Sequence, residues 1–370
     1  MKKGIFICEE FNELPGIKKK ILSQVKTLES CLGEVVLIKI NYNFFNKIKN
    51  KLPFFSSSYT QISDLLNEIN DTDYIYIRKP SILNRKFIML LNQIKKLNPK
   101  IVLLLEVPTF PYDNEVKLNI KNFFSTIKDR FWRNRLDAID RIVTFSNDRK
   151  IFNIETIQIS NGVDFKNVPL KKNSLKSNSL KSNSINLIGV ASISHWHGYD
   201  RVIEGLKLYL DSDPDVNVIF NIVGDGNPKV LNDYKEKVSK YNLTDNVVFH
   251  GKLTGNKLND VFDLSDIGVD ALGRHRSKVF YNSSLKGKEY LARGLPIISG
   301  VRTELDDMHG FPAYLRIPAN DSPVDIYEVK NFFSDIIQSN IDARKIRSFG
   351  EKKFDFYVTM KPIIQFIDKL

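Results

Sequence analysis

The sequence predicts an α/β protein built from two Rossmann-like domains, and three observations support this. The chain has 370 residues, more than one hydrophobic core usually accommodates, so two domains are expected. Short β-branched runs alternate with helical patterns through both halves, which indicates βαβ units and parallel sheets. A polar tract with a near-repeat of Ser-Leu-Lys-Ser-Asn separates the halves and is typical of a flexible linker. We therefore predict an N-terminal domain over residues 1–170, a linker over 171–184, a C-terminal domain over 185–352, and a final helix, 353–370, that returns to the first domain.

Each element is predicted from its apolar pattern: β-branched runs bounded by turn residues give strands, and apolar residues every three or four positions give helices. In the first half the predicted strands are 4–8, 35–40, 74–77, 101–105 and 141–145, with helices at 16–32, 83–97 and 116–136 and a further apolar segment at 62–69. In the second half the predicted strands are 185–191, 216–223, 247–250, 267–270 and 296–299. One predicted helix ends at residue 210, and two others span 230–241 and 284–293. An apolar segment at 313–317 and terminal helices follow. Ligands bind outside the carboxyl ends of strands in open α/β sheets, so the site is expected in a cleft between the domains.

Composition and charge restrict the function further. Hydrophobic residues make up 42% of the chain and charged residues 26%, which is ordinary for a folded protein. No run approaches the roughly 18 to 20 apolar residues of a membrane-spanning helix, and the first apolar run is too short for an export signal, so a cytoplasmic location is expected. Cys8 and Cys31 form neither a disulfide framework nor a metal site. The net charge of +12, with the larger excess in residues 1–165, favours an anionic partner, although a general enrichment in lysine explains it equally well.

The most informative motif runs from Ser283 to Ser299. Ser283 or Ser284 can cap a helix, Gly294 lies where a left-handed residue would end it, and Pro296 prevents its continuation. The start of such a helix exposes N–H groups and partial positive charge, which suits a diphosphate. Glu289, one turn into the helix, can accept hydrogen bonds from two neighbouring hydroxyl groups, as in a ribose.

A Glu followed by small residues, then Gly-x-Pro and an apolar strand, resembles the donor-site signature of GT-B glycosyltransferases of family 4, the group 1 enzymes of bacterial capsule, exopolysaccharide and O-antigen synthesis. The resemblance implies two Rossmann-like domains facing each other across a cleft. It also implies that Glu289 binds the nucleotide ribose and that Ser284, Leu285 and Lys286 lie over the donor phosphates. Many members carry an acidic residue eight positions before this Glu, where this chain has Tyr281. The alternative is a Glu that only packs a helix in an ordinary βαβ unit.

Cations near this motif are candidates for stabilising the leaving diphosphate. Arg274 and Lys278 follow the predicted strand 267–270, where metal-free neutralisation of a phosphate requires protein cations. A solvated charge run is the competing interpretation. In the turn 191–200, His197 occupies the position of a family Lys and Gly198 follows it, so the resemblance implies contact with the donor. His195 and His197 without a Cys or carboxylate cluster are a weak metal site, and no metal is predicted.

Several glycine turns also resemble family turns. The turn of Gly224, Asp225 and Gly226, and the turn at His250, resemble those that border the donor base and ribose, although a need for positive φ explains such glycines equally well. Gly16 resembles the glycine loop that approaches the donor from the first domain. The Asn-Gly-Val-Asp turn at 161–164 resembles the turn with which the N-terminal domain ends in this family.

The loop after strand 101–105 contains the acceptor-side candidates. Two prolines make it rigid, and rigid loops at strand ends often carry catalytic residues. Many family members have a His near the position of Glu106. This chain lacks that His, so Glu106 or Asp113 is the catalytic candidate. Thr109, Tyr112 and Glu115 are the candidates for contact with the acceptor. The alternative is a packed proline turn with solvated acids.

The predicted helix 116–136 has an apolar face that includes Phe123, Phe124, Ile127 and Phe131, and a basic side. The favoured interpretation is a core-facing helix with a solvated basic back. The alternative is docking on anionic lipid, together with the basic aromatic segment 44–55. On that alternative the domain would take a polyprenyl-diphosphate-linked acceptor from the inner membrane face.

Taken together, the resemblance implies a retaining, metal-independent transferase that moves a hexose from a nucleotide-diphosphate sugar to a saccharide acceptor. The expected donor is a UDP-sugar, and no cofactor is expected. A sugar-nucleotide 2-epimerase of the same fold is one alternative. A dinucleotide-dependent oxidoreductase is weaker, because the Gly-Asp-Gly turn does not continue to Gly-x-Gly-x-x-Gly. No recognised nucleic-acid-binding module is present in the sequence.

Overall fold

The computed structural model describes residues 1–10, 15–40, 69–112, 120–173, 175, 184–308 and 310–369. The chain divides into two compact units: an N-terminal unit of Met1–Ser160 with Phe356–Leu370, and a C-terminal unit of Asn161–Asp355. The contacts thus divide the chain at Ser160, ten residues before the predicted boundary. Most of the predicted linker 171–184 and of the segment 62–69 lies outside the described residues.

The N-terminal unit is built on a seven-stranded sheet. Its strands are β1 (Gly4–Glu9), β2 (Val35–Ile40), β3 (Tyr74–Arg78), β4 (Val102–Val107), β5 (Arg141–Thr144), β6 (Lys150–Ile151) and β7 (Ile154–Gln158), in the order β2-β1-β3-β4-β5-β7-β6. Neighbouring strands are parallel except for the hairpin of β6 and β7. The hairpin was not expected, because its strands of two and five residues are too short to give a clear period.

Helices cover both faces of this sheet, because successive side chains of a strand point to opposite sides. The helices are α1 (Pro15–Leu32), α2 (Arg85–Leu97) and α3 (Ile120–Trp132), together with the terminal helices α10 (Phe356–Thr359) and α11 (Lys361–Asp368). On one face Ile75 and Leu103 pack in a cluster with Phe87 of α2. On the other, Tyr76 and Leu104 pack with α1 and with the terminal helices.

Helix α3 of the N-terminal unit has its apolar residues outside. Phe123, Phe124, Ile127 and Phe131 are 48%, 48%, 50% and 50% exposed, whereas Asp129, on the other side, is buried. Helices of globular proteins normally place the apolar side against the core. The expectation of a core-facing apolar side is therefore wrong for these residues.

The C-terminal unit contains a six-stranded parallel sheet. Its strands are β8 (Ser184–Val190), β9 (Asn217–Val223), β10 (Val247–Gly251), β11 (Ile267–Val269), β12 (Ile297–Ser299) and β13 (Tyr314–Arg316), in the order β10-β9-β8-β11-β12-β13. The helices are α4 (Tyr199–Leu210), α5 (Pro228–Lys240), α6 (Gly255–Leu264), α7 (Leu285–Arg293), α8 (Ile326–Gln338) and α9 (Ala343–Phe354). This is the strand order of the Rossmann fold. The chain adds strands on one side of the first strand, β8, and then reverses and adds the remaining strands on its other side.

The reversal places three loops at one edge of the sheet. They follow β8, β9 and β11 and span residues 191–198, 224–227 and 270–278. Glycine is required where these loops pack together: a Cβ on Gly224 would lie 1.8 Å from the carbonyl oxygen of Ala191, and one on Gly226 would lie 2.2 Å from that of Ile193. Both glycines also have positive φ, so the structural explanation of the Gly-Asp-Gly turn holds.

Candidate active site

The start of helix α7 is the centre of the candidate site in the C-terminal unit. The side chain of Ser284 caps the helix by accepting a hydrogen bond from the Gly287 N–H (3.3 Å) and donates to the buried Asp270 carboxylate (2.7 Å). Gly294 ends the helix in the left-handed conformation, so both predicted caps are confirmed. The N–H groups of Leu285 and Lys286 belong to the first turn, where a helix supplies no acceptor of its own. They are therefore available to an anion.

Glu289 lies on the one side of α7 that is not buried. Leu285, Lys286 and Glu289 are partly exposed, whereas the remaining residues of the helix are buried. Among the residues that the structure describes, the Glu289 carboxylate contacts the Arg293 guanidinium, at 3.8 Å, and its side chain retains 36% exposure. A carboxylate in this state can accept hydrogen bonds from the hydroxyl groups of a ligand.

Three groups that can carry positive charge, Lys286 of the helix start, Arg274 and His197, interact electrostatically with one another. The Lys286 ammonium lies 3.8 Å from the Asp270 carboxylate, and burial lowers the pKa of Lys286 to about 8 despite that anion, with Arg274 contributing. Burial, together with Lys286 and Arg274, also holds the pKa of His197 well below its usual range. One carboxylate thus faces two cations, and a bound phosphate would relieve their repulsion.

The lowered pKa of His197 favours its neutral form, so this residue is poorly suited to replace the family Lys as a cation. Its Nδ1 lies 2.9 Å from the Ser194 N–H, and accepting from that group leaves the ring proton on Nε2. Gly198 follows in the left-handed conformation, and a Cβ there would lie 2.6 Å from the Gly273 nitrogen. The turn after β8 and the loop after β11 are therefore packed directly together.

The other cations of the loop after β11 have different surroundings. Arg276 donates to both oxygens of Asp200 (3.0 and 2.8 Å) and to Asp321 (2.7 Å), so its charge is neutralised within the protein. Lys278 is exposed and ends the short 3₁₀ helix Arg274–Ser277 in the left-handed conformation. Of the two predicted catalytic cations, Arg274 is the one that lies with Lys286 and His197.

Buried polar residues that the sequence did not single out hold these loops in place. Arg201 is fully buried and donates to the carbonyl oxygens of Leu272 (2.6 Å) and Ser322 (2.7 Å). The Asn161 N–H donates to the Ser283 hydroxyl (2.7 Å), directly before the cap of α7. These partners lie 71 to 122 residues apart in the chain, so no local pattern could have revealed them.

The remaining donor-side candidates lie at the neighbouring strand ends. The Asp225 side chain is exposed beside Gly224 and Gly226. His250 lies in β10, one residue before its end, with its Nε2 2.8 Å from the Asn221 side-chain oxygen. Gly16, in the N-terminal unit, is exposed in the first turn of α1, and an added Cβ would meet nothing within 4 Å. The protein itself therefore does not require glycine at that position.

Glu106 has surroundings that do not suit a catalytic base, which corrects the expectation from sequence. It is fully buried and accepts hydrogen bonds from Arg78, from Tyr76 (2.7 Å), from Gln24 (2.7 Å) and from Lys20 (3.3 Å). Burial alone would raise the pKa of Glu106, but the two cations and the hydrogen bonds outweigh it and lower the pKa to about 2. Such an enclosed, fully bonded carboxylate has neither the space nor the basicity to accept a proton.

The acceptor-side candidates are only partly described. Thr109 is half-buried in the loop after β4. Tyr112 donates its hydroxyl to the Asp129 carboxylate (2.6 Å), so this hydroxyl already has a partner. Asp113 and Glu115 lie outside the described residues, and their proposed roles stay predictions.

We expect Arg274→Ala to lower kcat by about 100-fold, because removing a preorganised group that stabilises developing negative charge commonly costs this much. Lys278→Ala should cost much less, since that side chain is exposed to solvent. Steady-state kinetics with a nucleotide-sugar donor, alongside thermal unfolding, measures both effects. Equal losses in the two variants would contradict the grouping of Arg274 with Lys286.

Comparisons with known proteins agree with this architecture. No family model and no curated protein matches the chain. Among solved structures, it is similar to a glycosyltransferase from Rickettsia africae ESF-5 (14% identity, TM-score 0.64, covering 100% of this chain and 98% of that one). It is also similar to Anabaena HepE in complex with UDP-glucose (14%, 0.63, 100% of both chains) and to WaaG, a glycosyltransferase involved in lipopolysaccharide biosynthesis (13%, 0.64, 98% and 99%).

No described helix has the length and apolar character needed to cross a membrane. Within the same residues, no group of three His, Cys, Asp or Glu side chains is placed to hold a metal ion. The likeness to the solved structures extends over the whole chain and, at these identities, concerns the fold: the chain has the GT-B fold of two Rossmann-like domains.

Proposed function

We propose that this protein is a glycosyltransferase that takes its sugar from a nucleotide-diphosphate donor. The observation that carries the proposal is the start of α7, where a capped helix presents free N–H groups beside Lys286 and Arg274, with Glu289 one turn away. A diphosphate on the N–H groups and cations would place a ribose within reach of the Glu289 carboxylate. This pattern of charges fits a nucleoside diphosphate better than a single phosphate, because it offers both an anion site and a hydroxyl site.

The reaction would break the bond between the sugar C1 and the donor phosphate oxygen as an acceptor hydroxyl attacks C1. The nucleoside diphosphate then leaves with additional negative charge, and the acceptor proton passes to a base. Arg274, Lys286 and the helix N–H groups would stabilise that charge without a metal ion. The enzyme needs no further cofactor in this scheme.

The finer parts of the proposal rest on resemblance. HepE is bound to UDP-glucose in one of the similar structures, which supports a UDP-hexose as the donor here. WaaG acts in lipopolysaccharide biosynthesis, which supports a saccharide acceptor linked to a lipid such as a polyprenyl diphosphate, in surface polysaccharide synthesis. Retention of anomeric configuration is what the resemblance to family 4 implies.

Donor binding tests this proposal most directly. We expect UDP-sugars, within a panel of UDP-, GDP-, ADP- and dTDP-sugars, to raise the unfolding temperature of the purified protein. A ligand at 100 times its Kd should stabilise the native state by about 2.7 kcal/mol. NAD and NADP serve as the matched control ligands. Stabilisation by a dinucleotide and by none of the nucleotide sugars would contradict the proposal, and release of UDP with an epimerised sugar in the absence of acceptor would identify an epimerase instead.

A further inference from the structure

Arg293, the last residue of α7, is a buried cation beside Glu289. Its side chain is 6% exposed, and its guanidinium lies 3.8 Å from the Glu289 carboxylate. The two residues are four positions apart, so they lie on the same side of the helix. Removing a cation from water is costly unless anions and hydrogen bonds compensate for the lost solvation. The surroundings of Arg293 must therefore supply that compensation.

Helix α6 fixes the position of the guanidinium. The Asn259 side-chain oxygen accepts a hydrogen bond from Nη1 of Arg293 (2.6 Å). The guanidinium carbon lies 4.2 Å from the centre of the Phe262 ring, which is itself buried. Asn259 and Phe262 are three residues apart and thus lie on one side of α6. A planar guanidinium can bond through its edge while it stacks through its face, and a lysine ammonium has no such pair of surfaces.

The part of the guanidinium that Asn259 does not use is directed to Glu289. Nη2 makes the 3.8 Å contact with the Glu289 carboxylate, and Nε is buried without a hydrogen-bond partner among the residues that the structure describes. At 3.8 Å the two charges attract each other, but the distance is too long for a hydrogen bond. The carboxylate oxygens of Glu289 therefore keep their capacity to accept from a ligand.

The end of α7 also suits a fixed cation. Carbonyl groups at a helix C-terminus carry partial negative charge, which stabilises positive charge there. Burial lowers the pKa of Arg293, and the nearby charges of Glu289 and Asp263 oppose this shift. The Lys171 N–H donates to the Arg293 carbonyl oxygen (3.0 Å) and so fixes the backbone at this point. An arginine stays protonated in proteins, so Glu289 has a permanent, immobile cation beside it.

We propose that Arg293 is a positioning residue for the donor: it holds the Glu289 carboxylate where the ribose hydroxyl groups reach it. A glutamate on a helix surface otherwise samples many rotamers, and restricting them before the ligand arrives lowers the entropic cost of binding. The inference rests on the proposed function, in which Glu289 accepts hydrogen bonds from the ribose. It gives Asn259 and Phe262 of α6 an indirect part in ribose recognition.

Titration calorimetry with UDP and with dideoxy-UDP, which lacks both ribose hydroxyl groups, tests the proposal. The wild type should prefer UDP by at least about 100-fold, the equivalent of two hydrogen bonds to a charged group. Arg293→Met removes the charge but keeps an unbranched side chain against Phe262. We expect this variant to lower the preference for UDP by about tenfold, with little change in the affinity for dideoxy-UDP.

Two further variants distinguish positioning from packing. Asn259→Ala, at a half-buried position, removes one anchor of the guanidinium and should lower the preference for UDP by about threefold. This variant carries the test if Arg293→Met does not fold. In a Glu289→Ala background, Arg293→Met should leave the preference unchanged, because the carboxylate through which it acts is already missing.

Arg347→Met is the matched control. Arg347 of α9 donates to the Ala292 carbonyl oxygen, so it supports the same end of α7 through the backbone. Its loss should lower the unfolding temperature and leave the preference for UDP intact. A preference that survives both Arg293→Met and Asn259→Ala, or that Arg347→Met lowers equally, would overturn the inference while the proposed function stands. A wild type that binds UDP and dideoxy-UDP equally would contradict the ribose assignment of the proposed function, and this inference with it.

Discussion

Glu289→Ala is expected to weaken donor binding by at least about 100-fold while leaving the fold intact. The variant removes the one carboxylate at the start of α7 that is both partly exposed and engaged only by a 3.8 Å contact. Two hydrogen bonds from ribose hydroxyl groups to a charged acceptor would be lost, each worth about 1.5 to 3 kcal/mol. The cost to the free protein should be modest, because the contact is long at 3.8 Å and the buried Arg293 guanidinium keeps its hydrogen bond to the Asn259 side chain (2.6 Å).

Titration calorimetry with UDP and with the UDP-sugar that stabilises the protein best measures this effect. Glu236→Ala on α5 is the matched control, since Glu236 is an exposed helical glutamate away from the capped start of α7. Unchanged donor affinity in Glu289→Ala would remove Glu289 from the site. A lowered unfolding temperature without ligand would show instead that the glutamate has a packing role.

The parts of the site that the sequence predicts correctly are local. The caps of α7 depend on Ser284 and Gly294, which lie at fixed offsets from the helix, so one short stretch of sequence contains the whole signal. The parallel sheets follow in the same way from strands and helices that alternate along the chain. The strand order around β8 then brings the loops together without any further information from the residues within them.

The parts that the sequence does not predict depend on partners far apart in the chain. Periodicity identifies an apolar side of α3, but the direction of that side is set by Asp129 and its bonds to Lys79 and Tyr112, 50 and 17 residues away. In the same way, the sequence alone makes Glu106 look like a catalytic residue at the end of a strand, because it does not show that Lys20 and Arg78 are neighbours of its carboxylate. Only the fold brings these cations to the carboxylate.

The expected result for Glu106→Ala is a loss of roughly 3 to 5 kcal/mol in the stability of the N-terminal unit, the cost of breaking a buried ion pair by removing one partner. Arg78 and Lys20 would remain buried without their anion, and burial already lowers the pKa of Lys20 to about 7 in the intact protein. Lys20→Met should be much milder, because Arg78, Tyr76 and Gln24 still satisfy the carboxylate.

Denaturant unfolding followed by the fluorescence of Trp132 measures the loss. The background variant is Trp196→Phe, since Trp132 and Trp196 are the two tryptophans of the chain and lie in different units. Glu155→Ala is the surface control, because its exposed pair with Arg141 should contribute at most about 1 kcal/mol.

The pH dependence distinguishes this structural role from catalysis. The pKa of Glu106 falls from an ordinary 4.5 to about 2 in the folded protein, so the carboxylate contributes its stability above pH 4.5 and loses that contribution as the pH falls toward 2. The difference in unfolding free energy between wild type and Glu106→Ala should therefore shrink as the pH falls below 4.5. If Glu106→Ala instead unfolds like the wild type at every pH and loses only transfer activity, Glu106 is a catalytic group after all. A variant that is unstable at neutral pH, and that the second substitution Lys20→Met partly restores, would establish that the carboxylate is needed to neutralise the buried cations.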